Sequence, residues 1–467
     1  MKSLNKGIFV LFLLLSQCFF AQDSLKLSHQ EFLQVVKRYH PLAFKYQLQN
    51  KIAEAEITKA RGNFDPVLSA KVGEKNIDGT RYYEQKNIEL DIPTWYGINI
   101  NGAYNNLDGE KLNNSDTRDG LAQFGVTVPL AKNLLYDKRR ALLDQAKFAL
   151  KMTEAEQILL TNELLLDADN TFWEWVKNYE IYNLQRKAVI INLERLDFTK
   201  KTYNYGERPA IDTVEAVSQL QSFQLQEREA YLNFVKSTQD LQLFLWKDNQ
   251  EFYEISELIF PSTLLDEHTA YTDFEFLVQN VQSEQLNNHA SLQYYFQKQN
   301  ILESERRLKW QSFLPKIDFT YNFFNKENYR AEYLPLFDNN FQYAIKLEIP
   351  VFQRAARADY QIAKLKIAQN NQDVQLKTRE ISTKIETYKN EIINYHSQID
   401  LAFSNLKNYQ RLLKAEEIKY SNGESSLFLI NSRENKLIEA REKNIELKAK
   451  FIKSYNKLKW LSENFLR

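Results

Sequence analysis

The sequence predicts a mainly α chain with a transmembrane β portion, built as a tandem repeat of long coiled-coil helices. Three observations predict it: glycine is scarce and confined to one region, the chain aligns with itself, and period-two apolar runs separate long helical periods. There are 11 glycines in 467 residues, against roughly 7% in average proteins. Gly7 stands near the start, eight lie from Gly62 to Gly125, and the other two are Gly206 and Gly423. Outside that one region, long stretches carry no residue that penalises a helix.

The first residues read as a secretory signal. Lys2 and Lys6 precede the apolar run Ile8 to Leu15, and Ala21 offers a small residue for cleavage. The expected signal peptide is 1–21. Cys18 opens a second reading, lipidation, although the bulky Gln17 stands where a lipidation signal wants a small residue. Cys18 is the only cysteine, so the processed chain would hold no disulfide or thiolate chemistry. Lysine plus arginine and aspartate plus glutamate both number 61, and this balance gives no nucleic-acid footprint. No later stretch approaches about 18 uncharged apolar residues, so any membrane crossing falls to strands.

The duplication fixes the order of elements. Residues 40–66 align with 289–315 at an offset of 249: His40 meets His289, Tyr46 meets Tyr295, Phe64 meets Phe313, and Pro66 meets Pro315. Further on the offset is 217: Glu163 meets Glu380, and Tyr203, Gly206 and Glu207 meet Tyr420, Gly423 and Glu424. The change of offset makes the middle of the first repeat about thirty residues longer. Repeat one is expected as a first helical part at 22–66, strands with longer loops at 67–130, and a long helix, tip turn and return helix at 131–250. A linker follows at 251–272. Repeat two has its helical part at 273–315, strands at 316–351, and helix, turn and helix at 352–467.

Residues Ile381, Ile385, Tyr388, Ile392, Tyr395, Ile399, Ala402, Leu406, Tyr409 and Leu413 alternate steps of four and three, a sustained heptad seam. The stretch from Arg140 to Tyr203 lacks proline and glycine and would run about 95 Å at 1.5 Å per residue. Between the helices, Phe341, Tyr343, Ile345, Leu347, Ile349 and Val351 alternate with polar residues. So do Ile317, Phe319, Tyr321 and Phe323, then Ile98, Ile100 and Tyr104, and then Ala122, Phe124, Val126, Val128 and Leu130. One apolar and one polar face at period two marks a half-buried strand. Pro66, Pro129, Pro315 and Pro350 mark the strand–helix junctions, where a missing amide is tolerated.

Two readings of these strands stay open: a soluble sheet lying on helices, or a wall in lipid. Aromatic side chains on the apolar face and Asp318, Lys346 and Glu348 on the other favour lipid outside and a wet lumen inside. Four principal strands cannot enclose a lumen, and an open sheet edge is forbidden in hydrocarbon. Membrane strands would therefore be shared with other copies of the chain. Whether residues 67–96 add strands or form an outer loop is open at this point. The repeated Tyr-x-x-Gly-Glu of Tyr203–Glu207 and Tyr420–Glu424 reads as a helix hairpin with a left-handed glycine cap, or as a mouth-closing tip that docks a partner.

The pattern resembles the TolC-like outer-membrane efflux proteins. The resemblance rests on the turns Tyr203-Asn204-Tyr205-Gly206 and Tyr420-Ser421-Asn422-Gly423. It rests also on Phe64-Asp65-Pro66 and Phe313-Leu314-Pro315 before the strands, and on Val128-Pro129-Leu130 and Ile349-Pro350-Val351 after them. It covers essentially the whole processed chain. It implies a homotrimer with a shared twelve-stranded outer-membrane β-barrel and a coiled-coil helical barrel across the periplasm of a Gram-negative bacterium. It also implies a periplasmic adaptor (membrane fusion) protein, an inner-membrane transporter and outer-membrane lipid as partners, and helix tips that act as an iris. Arg208 and Asp212 match the charged residues that latch such an iris, whereas Ser425, Leu429 and Ser432 stand at the corresponding places of repeat two. The implied function is a passive duct for small molecules or proteins.

Other chemistry finds little support in the residues. His29, His40, His268, His289 and His396 show no metal-ligand spacing, and His40 and His289 read as solvated residues at helix starts. No glycine-rich phosphate loop appears, no nucleophile pairs with a base, and no cofactor or nucleic acid is expected. The alternative is a periplasmic coiled-coil scaffold or binding protein with a soluble β domain.

Overall fold

The computed structural model describes residues 26–113, 116–248, 251–253, 259–281, 289–326 and 340–462. The expected signal segment, with Cys18, lies outside the described residues. The elements run β1 (Lys26–Leu27), α1 (His29–Tyr39), α2 (Pro41–Arg61), β2 (Val67–Ile77), β3 (Thr80–Pro93), β4 (Asn99–Asp108), β5 (Asp119–Pro129), α3 (Lys138–Asn204) and α4 (Ala210–Gln242). They continue with β6 (Phe260–Pro261), α5 (Ala270–Asn280), α6 (Ala290–Trp310), β7 (Lys316–Lys326), β8 (Phe341–Glu348), α7 (Arg354–Ser421) and α8 (Leu427–Leu461). The chain is thus mainly helical with one substantial sheet. Two compact units result, one of Met1–Tyr46, Leu160–Gln285 and Glu380–Arg467, the other of Gln47–Leu159 and Leu286–Arg379. Each unit draws on both repeats, so the duplication and the compact units divide the chain differently.

The second unit holds a six-stranded sheet in the order β2-β3-β4-β5-β7-β8, antiparallel throughout. The expectation of four principal strands is corrected to six, because residues 67–93 form two further strands in the same sheet. Asp78 and Gly79 both take positive φ, 52° and 76°, the backbone of a two-residue turn that matches strand twist. Register places the side chains. Leu68, Leu90, Gly102, Phe124, Phe323 and Phe341 lie in one cross-strand line, and Ile92, Ile100, Val126, Tyr321 and Tyr343 lie in another. Offset by one residue, Asp91, Asn101, Gly125, Asn322 and Gln342 form a polar line on the opposite face. Gly125 has a packing reason: a Cβ there would overlap Asn101 Oδ1 and Asn322 Oδ1. The apolar face is exposed towards its edges, with Leu68, Val72 and Ile345 each more than 60% exposed, while Phe323 is buried.

Pro66 and Pro315 directly precede β2 and β7, Pro129 ends β5, and Pro350 stands two residues past β8. The repeat-related phenylalanines before the strands are anchors. Phe64 stacks on Trp95 with ring centroids 4.0 Å apart and packs with Ala60 and Leu143, while Phe313 meets Tyr360 edge-on at 5.5 Å. Asp137 is buried ahead of α3 and accepts from the Arg140 amide at 3.0 Å, a helix cap. Arg139 links the same carboxylate to Asn99 of β4. Burial pushes the Asp137 carboxyl up, but its hydrogen bonds and charge contacts with Arg140 and Arg139 outweigh this and hold it below the usual range.

In the first unit, the heptad seam faces inward. Ile381, Ile385, Ile392 and Ile399 are buried, and Tyr420 ends the same row. Leu184 and Ala188 of α3, Phe223 of α4 and Ile438 of α8 form one core cluster. A buried ion pair joins α3 to α8, with Arg195 Nη1 2.5 Å from Glu434 Oε2 and Asn192 donating to the same oxygen at 3.2 Å. Asp169 on α3, fully buried, gathers three partners: His29 Nε2 at 2.7 Å, Trp173 Nε1 at 3.1 Å and Asn456 Nδ2 at 2.7 Å.

The reading of His40 and His289 as solvated is overturned. Both are buried, and their Nδ1 atoms accept the amides of Leu42 and Ser291 at 3.2 and 3.1 Å. A neutral imidazole can thus cap a helix start two residues on and be satisfied out of water. Burial lowers the His40 pKa, which favours that neutral form.

Candidate functional site

The two helix tips lie in the first unit. At tip one, α3 ends at Asn204 and α4 begins at Ala210; at tip two, α7 ends at Ser421 and α8 begins at Leu427. Gly206 and Gly423 take φ of 78° and 79°. The Gly206 amide donates to the Tyr203 carbonyl at 2.9 Å and the Glu207 amide to that of Thr202 at 3.0 Å. The Gly423 amide donates to Tyr420 at 3.1 Å and the Glu424 amide to Lys419 at 2.9 Å. Both are Schellman caps, which satisfy the last helical carbonyls and turn the chain out of the helix. Nothing lies within 4 Å of a Cβ built on either glycine, so backbone conformation and not space requires glycine here.

The tips are alike in backbone and unlike in side chains. Tyr203 is exposed, whereas Tyr420 is buried against Ala216, Leu427 and Ile430. Arg208 of tip one reaches tip two: its Nη2 donates to the Tyr420 carbonyl at 2.8 Å and its guanidinium lies 3.9 Å from the ring centroid. Burial pushes the Tyr420 hydroxyl above its ordinary range, against the pull of that guanidinium. Asp212, on the first turn of α4, has no ion pair among the described residues, and its amide bonds to the Pro209 carbonyl at 3.2 Å. Arg208 and Asp212 are therefore not paired with each other within the chain. At tip two, Ser425 donates instead to Glu416 at 2.5 Å, while Leu429 and Ser432 are exposed. Glu207 and Glu424 both face solvent.

Sequence reasoning missed the Arg208–Tyr420 bridge. Each residue was singled out within its own repeat, and 212 positions separate them. The signal available was the asymmetry itself, since arginine has no counterpart where Ser425 stands. The Asp137 cluster was also missed, although Asp-x-Arg-Arg just before a long helix is a local cap signature. No helix among the described residues is long and apolar enough to cross a membrane.

The chain matches no protein-family model and no curated protein in sequence. Its fold does match solved structures. The CmeC outer membrane channel of Campylobacter jejuni superposes with a TM-score of 0.66 at 13% identity, over 93% of this chain and 85% of that one. CusC, described with its transmembrane channel formation, gives 0.67 at 13%, over 93% and 91%. The open state of the Neisseria gonorrhoeae MtrE outer membrane channel gives 0.65 at 12%, over 94% and 89%. These neighbours are described as channels. Across nearly its whole length, this chain shares the TolC-like fold of these channels.

Proposed function

We propose that the chain is one subunit of a homotrimeric duct in the outer membrane of a Gram-negative bacterium, with a large periplasmic part. It is the passive channel of a tripartite efflux or type I export system and carries small molecules or proteins. An inner-membrane transporter supplies the drive, and a periplasmic adaptor docks on the helix tips. The observation that carries this reading is the sheet: an apolar face largely exposed at Leu68, Val72, Phe124, Tyr343 and Ile345, a polar face behind it, and two edge strands, β2 and β8, that each pair with a single strand among the described residues. Such a surface suits lipid outside and water inside, and its open edges call for partners. Trp95 and Tyr96, exposed in the short turn between β3 and β4, sit where an interfacial aromatic girdle belongs. The exposed Leu376, Leu401 and Ile418 of α7 offer neighbouring copies an apolar helical surface. Tyr203, Gly206, Glu207, Arg208, Asp212, Tyr420, Gly423 and Glu424 form the gate and docking region. The fold likeness to outer-membrane channels supports the same reading.

Native mass of the detergent-extracted protein tests it. A trimer that stays in the membrane fraction through salt and urea washes is expected. A monomer that needs no detergent overturns the duct and leaves a periplasmic coiled-coil scaffold.

A further inference from the structure

The two repeats do not contribute equally to the sheet. β2 follows Pro66 as β7 follows Pro315, and β5 leads into α3 as β8 leads into α7. In repeat two these positions are direct neighbours, since β7 pairs with β8. In repeat one they are not: β2 pairs with β3, β3 with β4, and β4 with β5. The thirty-odd additional residues are therefore one descending and one ascending strand set between two strands of the ordinary pattern.

Three features place this pair in the wall and not in a loop above it. β3 and β4 are paired over ten positions, Glu84–Pro93 against Asp108–Asn99. That is one position longer than the β4–β5 pairing, which runs over nine from Asn99↔Thr127 to Leu107↔Asp119. The apolar rows cross the added strands without changing face: Leu90 lies opposite Leu68 of β2, and Ile88 lies opposite Tyr104. Ile88, Leu90 and Tyr104 on the added strands are exposed, as lipid-facing positions of a wall would be. A solvated outer hairpin has no use for such a row.

We infer that each copy gives six strands to the shared barrel, and that β2 of one copy pairs with β8 of the next to close an eighteen-stranded wall. This inference rests on the trimeric duct proposed above. Six alternating strands put β2 and β8 in opposite directions, so the joint between copies is antiparallel like every other pairing in the sheet. Both edges carry their apolar residues on the same face: Leu68, Ala70 and Val72 on one, Phe341, Tyr343, Ile345 and Leu347 on the other. The band therefore continues across the joint. A strand spacing of about 4.8 Å and a tilt of about 40° give a backbone diameter of about 36 Å for eighteen strands, against about 24 Å for twelve. The twelve-stranded wall implied by the family resemblance is thus replaced by one about half as wide again.

Cysteine cross-linking of the full chain in a Cys18→Ser background tests this. Val72→Cys is combined in turn with Tyr343→Cys, Ile345→Cys and Leu347→Cys, and the control set puts Tyr104→Cys of β4 with the same three. Oxidised dimers and trimers from a β2–β8 pair, with none from the β4 set, are expected. Cross-linking through β4 means that β2 and β3 lie outside a four-strand-per-copy wall, and overturns the inference while leaving the duct intact. A trimer that cross-links through neither set overturns it too. A monomer removes the duct itself. The unmodified trimer gives an independent readout by electron imaging, where a barrel near 24 Å across overturns the inference.

Discussion

Replacing Gly206 isolates the energetics of a single tip. Its φ of 78° lies in the left-handed region, and an added Cβ meets no atom within 4 Å. Any cost must therefore come from the backbone, about 1–2 kcal/mol for an ordinary L-residue. Gly206→Ala should cost about that much, Gly206→Val more, because a β-branched residue fits positive φ poorly, and Gly206→Asn less, because asparagine visits this region routinely. The loss is local, since it acts on the two hydrogen bonds of the cap and leaves the sheet untouched. Hydrogen exchange at the Glu207 amide, bonded to the Thr202 carbonyl, reads it directly. An alanine penalty of 1–2 kcal/mol speeds exchange about 5- to 30-fold, and Gly423→Ala should do the same at Glu424. Export should fall with valine at either position while the assembled protein still inserts. Equal exchange in the alanine, asparagine and parent proteins would refute the claim that left-handed caps close these tips. Parent-level export in both valine variants would separate the tips from transport.

Other measurements follow from the same geometry. Arg208→Ala removes a charged donor and a guanidinium stacked on Tyr420, so tip two should loosen by about 1–2 kcal/mol; Arg208→Lys should recover only part of this, as judged by exchange at Glu424. Asp212→Ala should leave thermal stability within about 0.5 kcal/mol, because its carboxylate has no ion pair within the described chain, yet raise antibiotic entry if it latches to another copy; unchanged entry removes the latch from this position. Gly125→Ala should destabilise the sheet by about 1–3 kcal/mol through crowding against Asn101 and Asn322, read as a lower unfolding temperature of the detergent-solubilised protein. His268 is held down to about 4, first by burial and against the attraction of Asp169. Its charged form is thus favoured by unfolding, and its share of stability is full above about 6.5 and lost towards pH 4, by up to about 1.4 kcal/mol per pH unit. His268→Asn, which keeps an acceptor for the Ala270 amide, should flatten the stability profile across that window.

Strong local periods made much of the fold readable. Ile381 to Leu413 carry their own register, and the twin glycines announce their caps, because heptad burial and positive φ are decided within a few residues. The hairpin at 67–93 was harder to read. Val67 is out of phase with Leu68, Ala70 and Val72, and the first half of β3 is largely polar from Arg81 to Lys86, so alternation alone left a loop open. Pairing with β4 decides the matter, and pairing is not written in either strand by itself. His40 and His289 misled for a related reason: an imidazole reads as polar, while its burial depends on a main-chain amide that sequence patterning does not display. At the tips, the glycine turns were visible and the Arg208–Tyr420 bridge was not, since the first is local and the second crosses from one repeat to the other.

The carboxylate of Asp169 has a consequence for how the chain reaches this state. One partner, His29, precedes Asp169 by 140 residues, and another, Asn456, comes 287 residues after it. Until α8 is made, a group destined for the interior lacks its Asn456 partner, beside Phe172, Trp173 and Trp175, which are fully buried in the fold. Contacts this distant in sequence form slowly, and greasy surface left waiting invites aggregation. The newborn chain should therefore depend on a holding chaperone until α8 arrives, and truncation before Asn456 should yield aggregates and not a shorter folded subunit.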